Sequence, residues 1–441
     1  MFAQKLQMSF DVAHYIFNTP CASRRAKIDN IPEWSRQRIS KLLPPLLTTQ
    51  HSSWEQGSAA QAILETHLCP VVTMAIPHAV HYLYGLAHDA VVRQGRDGRL
   101  SVLLNGDGQS DLGALDPGCI GESFYLLLSF PNGVKVKLSS EVSSRLEISI
   151  ENMLIYILEK CPRVPILDGQ NPTSADTLLS HRIDSAQIWS DSVYMLPPFL
   201  ASASVYYSQR QSSKFQSLPL LHMSLQRIIS ASEALQSPTG EWSHIYDMEK
   251  HELTRKAYWG VGNGWVCGGI VRVFRIIASA VDDAQAGEEL QPTLATDTGI
   301  RAQVRRCYSI LVKTLDACLG HIRWDGLFHN ILDDADSFVE TNLSQQLAYT
   351  LYRLLDLHQY TSAVVRNFLQ LPTLDGTQVR AWEELAGTMH QAAVMKTDEW
   401  GFVRGVCGSP RFDSAGTAAE GQAWGILMEV ARAEYLTHKS A

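Results

Sequence analysis

The chain carries little charge for its length and no cluster of one sign. Only 19% of its 441 residues are charged, and the formal net charge is -8. Binding to nucleic-acid phosphates depends on a clustered basic surface, and no basic run or RNA-binding signature is present. The composition therefore argues against nucleic acid as a partner and favours a mildly acidic globular protein.

Signals for secretion and for membrane insertion are also missing. The N-terminal segment lacks the long apolar stretch of a secretory signal. No run approaches the roughly 18 consecutive apolar residues that a membrane span requires. We therefore expect a cytoplasmic location and no membrane partner.

The 8 cysteines include no CxxC pair, which is the close spacing that structural zinc sites use. Most of them fall in apolar helical stretches, where buried free thiols are expected rather than disulfides. Neither a metal nor a cofactor is expected.

Strand patterns are sparse, whereas helical patterns follow one another along the chain. Brief alternation occurs only at 100–106 and 131–138, while apolar residues recur at three- and four-residue spacing in about twelve segments. One kind of segment, such as 301–315, has a single apolar stripe, and the other kind, such as 262–274, is apolar nearly all round. Outer and inner helices that alternate in this way predict an all-α (α/α)6 barrel. We assign 1–30 to an N-terminal extension and 31–441 to one barrel domain.

The predicted starts of the inner helices share a composition. Each combines Gly or Pro with Trp, a carboxylate or His, and aromatic rings beside isolated acids are typical of carbohydrate sites. For any one segment, packing of the crowded barrel centre is the simpler explanation. The recurrence favours one shared cavity, in which Trp54, Trp189 and His329 are candidate ligand contacts. The segments are HSSWEQGSAA (51–60), ALDPGCIGES (114–123), AQIWSDSVYM (186–195), TGEWSHIYD (239–247), AYWGVGNGW (257–265), GLFHNILDDADSFVET (326–341) and AAEGQAW (418–424).

Asp191 is the first candidate for catalysis. It lies among apolar and aromatic neighbours, including Trp189 and Tyr194. Such surroundings disfavour the ionised carboxylate, so we expect a raised pKa and a carboxyl group that can donate a proton. The alternative is that Asp191 only caps the N-terminus of a helix.

In this order, the segments resemble glycoside hydrolase family 105, the unsaturated rhamnogalacturonyl hydrolases, from about Trp54 to about Trp424. The resemblance implies an (α/α)6 barrel and an enzyme that hydrates the C4=C5 double bond of a terminal unsaturated uronic acid and releases the aglycone sugar. It implies catalytic roles for Asp191 and Asp116. It also implies substrate contacts by His244, Trp259, Asn263 and Trp265.

The chain departs from the family pattern at two positions. Val261 stands where an Arg usually precedes GNGW, and an Arg there is suited to a carboxylate. Arg255 and Lys256 lie nearby and are candidate substitutes. Glu420 stands where a ring-stacking His is more usual, and we count it among the substrate-binding residues.

Two other functions remain open at this point. The lost Arg and the apolar inner helices are compatible with a cyclase or isomerase that acts on an apolar biosynthetic intermediate. A catalytically inactive carbohydrate-binding protein is the third interpretation. In each case the partner is a small molecule or an oligosaccharide, and the protein is expected to be a monomer or a homodimer.

Overall fold

The computed structural model describes residues 31–102, 112–129, 138–165, 177–210, 214–282 and 297–441. The predicted extension 1–30 lies outside these residues, and so do 103–106 and 131–137 of the two segments with strand-like alternation. The division into an extension and a single domain therefore stays a prediction.

Helices account for most of the described chain and alternate between an outer and an inner layer. The outer helices are α1 (Ile31–Thr49), α3 (Ala79–Val92), α5 (Ser140–Ile155), α8 (Ser217–Leu235), α10 (Thr298–Leu319) and α13 (Gly376–Val394). The inner helices are α2 (Trp54–Leu68), α4 (Gly121–Ser129) after a 3-10 turn (Asp116–Ile120), α7 (Pro197–Ser208) after the short α6 (Ser192–Met195), α9 (Gly260–Asp282), α11 (Asn342–Gln359) and α14 (Ala419–Ser440). Two short elements, a π-helical turn (Tyr156–Lys160) and α12 (Ala363–Leu369), lie outside this alternation.

The inner helices form a closed ring. Each contacts the next in the order α2, α4, α7, α9, α11 and α14, and α14 contacts α2 again. Small residues allow the close approach: a Cβ atom at Gly268 of α9 would lie 2.4 Å from the Trp424 ring of α14. The (α/α)6 barrel predicted from the sequence is thus confirmed.

Aromatic rings fill the centre of the ring. The Tyr194 ring lies 4.7 Å from that of Trp265 and 5.1 Å from that of Trp424, and Tyr349 lies 5.4 Å from Trp424. These four side chains are almost inaccessible to solvent. They therefore close the barrel below the ends at which the inner helices begin.

Two predictions from the sequence, on the cysteines and on membrane spans, can be compared with this fold. The seven cysteines of the described residues are all free and buried, as predicted. The sequence expectation concerned uninterrupted apolar runs. Arg272 and Arg275 interrupt α9, but this helix has the length and composition of a membrane span, with 23 residues and a mean hydropathy of 1.5 in its most apolar window. Because 83% of that window is buried inside the barrel, its apolar composition is explained by its place in the inner ring.

Short antiparallel sheets occupy the loops. Strand β1 (Arg163–Pro165) pairs with β2 (Thr177–Leu179), and β3 (Gln187–Trp189), β4 (Ile245–Asp247) and β5 (Glu252–Arg255) form a three-stranded sheet in that order. Two hairpins follow, β6 (Phe328–His329) with β7 (Val339–Glu340), and β8 (Val406–Gly408) with β9 (Arg411–Gly416). Strands β3 to β9 lie in loops that lead into inner helices, and we call this end of the barrel the mouth.

Candidate active site

The three-stranded sheet places one acid, one imidazole and one guanidinium in a row at the mouth. Asp191 follows β3, and the Ser190 N–H donates to the His244 carbonyl at 3.0 Å. His244 precedes β4, and its N–H donates to the carbonyl of Arg255 at the end of β5 at 3.1 Å. Since neighbouring strands hold these three positions side by side, their side chains meet.

The side chains of this row form a continuous chain of polar contacts. Asp191 Oδ2 lies 3.2 Å from His244 Nε2 and accepts a hydrogen bond from Ser190 Oγ at 3.1 Å. His244 Nδ1 lies 2.9 Å from Arg255 Nη1. A guanidinium only donates, so Nδ1 accepts and we infer that Nε2 carries the ring hydrogen. The Asp191 side chain makes no capping bond, and 12% of it is exposed, so it is accessible from the mouth.

The expected rise in the pKa of Asp191 is wrong. Burial does push this pKa upward, but His244 and His181 together outweigh it and hold the pKa below its ordinary value. Asp191 therefore rests as a carboxylate at neutral pH. Apolar neighbours in the sequence predicted the desolvation correctly and gave no sign of the two imidazoles.

Asp116 forms a second acid–imidazole pair on the adjacent inner helix. It opens the 3-10 turn before α4, and its Oδ1 lies 3.3 Å from Nε2 of His181. The His181 ring stacks on the Trp189 ring at a centroid distance of 4.6 Å. The Trp189 ring also lies 5.1 Å from the ring of His244. Trp189 thus separates the two pairs. Sequence reasoning missed His181, which lies in a loop without motif or helical period.

Trp259 closes this wall of the site. Its ring lies 4.6 Å from His244, and the guanidinium carbon of Arg255 lies 5.6 Å from the ring centroid. Its Nε1 donates to Oδ1 of Asn330 at 3.1 Å, which fixes the ring plane. Asn330 belongs to the GLFHN segment, but the sequence drew attention to the neighbouring His329 instead.

The opposite wall is built on α2 and α14. Trp54 Nε1 donates to Oε1 of Glu420 at 2.7 Å, and Glu55 Oε2 lies 2.8 Å from His51 Nδ1. Glu420 is 2% exposed. Burial and the neighbouring Glu55 raise the pKa of Glu420 to about 7.

The β8–β9 hairpin covers part of the mouth and links the two walls. The Phe412 ring lies 6.5 Å from Trp54 and 6.3 Å from Trp259. A cleft of about 1200 Å³ opens beside it, and Arg255 is one of the residues that line this cleft. Its lining includes the charged side chains of Asp336, Arg411 and Asp413. Phe412 carries no motif and was not predicted from the sequence.

Asn263 and Trp265 require correction as predicted substrate contacts. The Asn263 amide is fully buried, donates to the carbonyls of Trp242 and Trp259, and accepts the N–H of Trp242 at 2.7 Å. Its hydrogen bonds hold backbone together and leave nothing directed at a ligand. Trp265 is 2% exposed and packs in the aromatic centre against Tyr194.

His329 is also corrected. Its Nε2 lies 2.8 Å from Arg323 Nη1, and its Nδ1 lies 2.9 Å from the Ser337 carbonyl oxygen. Both ring nitrogens are therefore engaged in holding the β6–β7 hairpin. The structure brings together seven of the predicted residues at the mouth: Asp191, Asp116, Trp189, His244, Trp259 and, on the opposite wall, Trp54 and its partner Glu420.

Val261 lies in the first turn of α9 and is 1% exposed. The position that an Arg occupies in the family motif thus presents a buried methyl surface. Arg255 supplies a positive charge at the site instead, because it lies beside His244 and lines the cleft. Among the described residues, no group of three His, Cys, Asp or Glu side chains is placed to hold a metal ion.

Comparisons with known proteins agree with this architecture. The family model of Glycosyl Hydrolase Family 88 matches residues 147–370. The unsaturated rhamnogalacturonyl hydrolase YesR of Bacillus subtilis (strain 168) is 26% identical over 255 residues, which are 56% of this chain and 61% of that protein. The chain therefore spans less than two thirds of this relative.

Solved structures share the fold at low identity. A possible member of the GH105 family from Salmonella enterica superimposes with a TM-score of 0.62 at 14% identity, covering 92% of this chain and 95% of that one. The unsaturated glucuronyl hydrolase of Bacillus sp. GL1 gives a TM-score of 0.56 at 11% identity, covering 92% and 96%. The family resemblance predicted from the ordered segments is confirmed, and since the family model covers half of the chain, this protein belongs to Glycosyl Hydrolase Family 88.

Proposed function

We propose that this protein hydrates the C4=C5 double bond of a terminal unsaturated uronic acid and thereby releases the sugar attached to it. The observation that carries the proposal is the row of Asp191, His244 and Arg255 at the mouth, which joins an accessible carboxylate to an imidazole and a guanidinium. A proton donor and an anion-binding group side by side are what this substrate requires. Family membership and the similarity to YesR, an unsaturated rhamnogalacturonyl hydrolase, support the same chemistry.

In the proposed reaction, Asp191 in its acid form gives a proton to C4, and water adds to C5. The water proton returns to Asp191, so the acid is regenerated and the balance is one water consumed. The hemiketal formed at C5 then opens and releases the aglycone. No glycosidic bond is cleaved by a pair of carboxylates in this route.

Asp191 rests as a carboxylate, so it must gain a proton when the substrate binds. A uronate placed beside it is a second negative charge, which raises the pKa of a neighbouring carboxyl group. The proton comes from solvent at the mouth, because His244 accepts from Arg255 through Nδ1 and loss of its Nε2 hydrogen would leave an imidazolate. We assign to Arg255 the binding of the uronate carboxylate, because no carboxylate among the described residues pairs with this guanidinium.

The alternative of a cyclase or isomerase for an apolar molecule receives no support. Arg255, Asp336, Arg411 and Asp413 line the cleft, and charged walls are unsuited to an apolar ligand. A cytoplasmic location and a monomeric or homodimeric state stay predictions of the sequence.

The test is incubation with an unsaturated rhamnogalacturonan disaccharide, followed by the ultraviolet absorbance of its conjugated double bond. Wild-type protein should remove the absorbance, whereas Asp191→Asn should lose activity by a factor of about 10² to 10⁴, the range of general acid catalysis. The matched control is Asp184→Asn, which removes an exposed carboxylate paired with Arg182 away from the row. Identical flat traces for wild type and Asp191→Asn would refute the proposal, and so would undiminished activity in that variant.

A further inference from the structure

Glu420 is a buried acid at the mouth that the proposed reaction does not use. It lies in the first turn of α14, which stands three inner helices away from α7 in either direction around the ring. Glu420 is thus on the wall opposite Asp191. Phe412 contacts the aromatic rings of both walls, so the two acids border one opening.

The contacts of Glu420 are unusual for an ionised side chain. Oε1 accepts from Trp54 Nε1, while Oε2 is buried and has no hydrogen-bond partner. No cation among the described residues lies within ion-pair distance of it, and the first-turn acid of the adjacent helix, Glu55, adds a negative charge. A buried carboxylate without a counter-ion is strongly disfavoured.

The other charged groups near Glu420 do not offset this environment. Burial and the two acids Glu340 and Glu420 raise the pKa of the Cys407 thiol in β8, so Cys407 supplies no charge. Glu340 accepts the backbone N–H groups of Asn342, Leu343 and Cys407, which stabilise it where it lies. The backbone N–H groups of Glu420 and Ser409 favour the ionised form of Glu420, but they do not offset its burial and the neighbouring Glu55, so protonation neutralises this acid.

We propose that Glu420 is a specificity-determining residue, whose buried and partly unpartnered carboxyl group presents a neutral acid to an anionic sugar bound at the mouth. The inference rests on the proposed function, since the unsaturated uronate supplies the negative charge. When Glu420 loses its proton, the wall gains a charge of the same sign as the ligand. The anionic sugar then binds less well, and a neutral sugar is unaffected.

The direction of the pH effect follows from the same groups. Burial and Glu55 raise the pKa of Glu420 to about 7, so the acid is neutral below this pH and ionised above it. Two unit charges about 10 Å apart near a protein surface change a binding constant by about tenfold. We therefore expect KM for the unsaturated disaccharide to rise about tenfold between pH 6 and pH 8.5.

The experiment compares KM across this pH range for wild type, Glu420→Gln and Glu55→Gln. Glutamine at 420 keeps an acceptor for Trp54 Nε1 and stays neutral, so its KM should not rise with pH. Removing the charge of Glu55 lowers the pKa of Glu420, so the rise should begin at lower pH. Glu340→Gln removes the other buried carboxyl whose pKa is raised to about 7 and should keep the wild-type rise.

A role of Glu420 in merely positioning Trp54 predicts a different result. KM of Glu420→Gln would then differ from wild type by a constant factor, with a parallel pH profile, and this outcome would overturn the proposal.

Infrared difference spectra of the ligand-free protein separate this inference from the proposed function. Wild type minus Glu420→Gln should show a protonated carboxyl band at pH 6 that disappears near pH 8, and its absence at pH 6 overturns the proposal whatever the substrate. If the disaccharide is not hydrolysed, the proposed function fails. The affinity for galacturonate, measured by quenching of indole fluorescence, then replaces KM. This affinity should fall with rising pH in wild type and stay constant in Glu420→Gln.

Discussion

The inner helices enclose two groups of buried acids, one in the barrel interior and one at the mouth, and the two groups are compensated differently. In the interior, Glu65 accepts from Arg272 at 2.6 Å, from Arg353 at 2.5 Å and from the Tyr349 hydroxyl at 2.6 Å, and Arg275 lies 3.0 Å away. At the mouth, Glu420 accepts a side-chain hydrogen bond from Trp54 Nε1 at 2.7 Å, and no cation among the described residues lies within ion-pair distance of it.

The difference appears in the pKa of each acid. Burial pushes the pKa of Glu65 upward, but Arg353, Arg275 and Arg272 hold it far below its ordinary value. Burial of Glu420, with Glu55 nearby and no arginine, raises its pKa to about 7. Buried acids in one ring of helices thus serve structure where cations saturate them, and they remain available for chemistry where cations are few.

The most severe test of this contrast is Glu65→Gln. The substitution leaves the buried Arg272 and Arg353 and the half-buried Arg275 without their shared carboxylate. Breaking a buried pair costs about 3–5 kcal/mol of unfolding free energy. Urea denaturation should show this loss. Glu33→Gln is the matched control, because Glu33 forms an exposed pair with Arg36 and should be replaced without a measurable change. Equal stability of the two variants would contradict the structural role of the interior acids.

At the mouth, Glu420→Gln should increase the free energy of unfolding, whereas Glu65→Gln decreases it, and the increase should appear only at high pH. The folded state raises the pKa of Glu420 from 4.5 to about 7. Stability from this group is present below pH 4.5 and is lost as the pH rises through about 7. The loss amounts to roughly 3 kcal/mol.

The glutamine variant should therefore be more stable than wild type at pH 8 by up to that amount and indistinguishable from it at pH 4. Denaturation curves at the two pH values measure the difference. A variant that is less stable than wild type at pH 8 would show that the carboxylate is compensated after all.

Arg255→Met tests whether the charged groups at the mouth act on ligand binding rather than on stability. Removing a charge-assisted hydrogen bond weakens binding by about 1.5–3 kcal/mol, which is about 10- to 100-fold in KM for the unsaturated disaccharide. Stability should hardly change, because this guanidinium is half-buried and pairs with no carboxylate of the described chain. Arg404→Met, which breaks an exposed pair with Asp398, is the control and should leave KM unchanged. An unaltered KM in Arg255→Met would remove Arg255 from the binding site.

The architecture was predictable because it depends on repeating patterns. Three- and four-residue periodicity identified the helices, and the contrast between α10 and α9 separated the outer from the inner layer. The order of the mouth segments brought Asp191, Asp116 and His244 together correctly. Periodicity says nothing of strands two to four residues long, and these strands place Arg255 and His244 beside Asp191.

The errors at the site come from contacts between residues far apart in the chain. The pKa of Asp191 depends on His244 and His181, which the residues adjacent to Asp191 cannot reveal. A family motif likewise supplies a residue type without its partners: Asn263 was matched to a ligand contact, yet its amide holds Trp242.

Asn263→Ala gives the smallest expected effect and tests that correction. Alanine leaves the buried N–H and carbonyl of Trp242 without their side-chain partner, which costs roughly 1–2 kcal/mol of unfolding free energy. KM should stay within twofold of wild type, because the Asn263 amide is fully buried and directs no group toward the mouth. Measuring denaturation and KM on the same preparation separates the two roles. A raised KM with unchanged stability would return Asn263 to the binding site and show that the mouth extends deeper into the ring than these contacts place it.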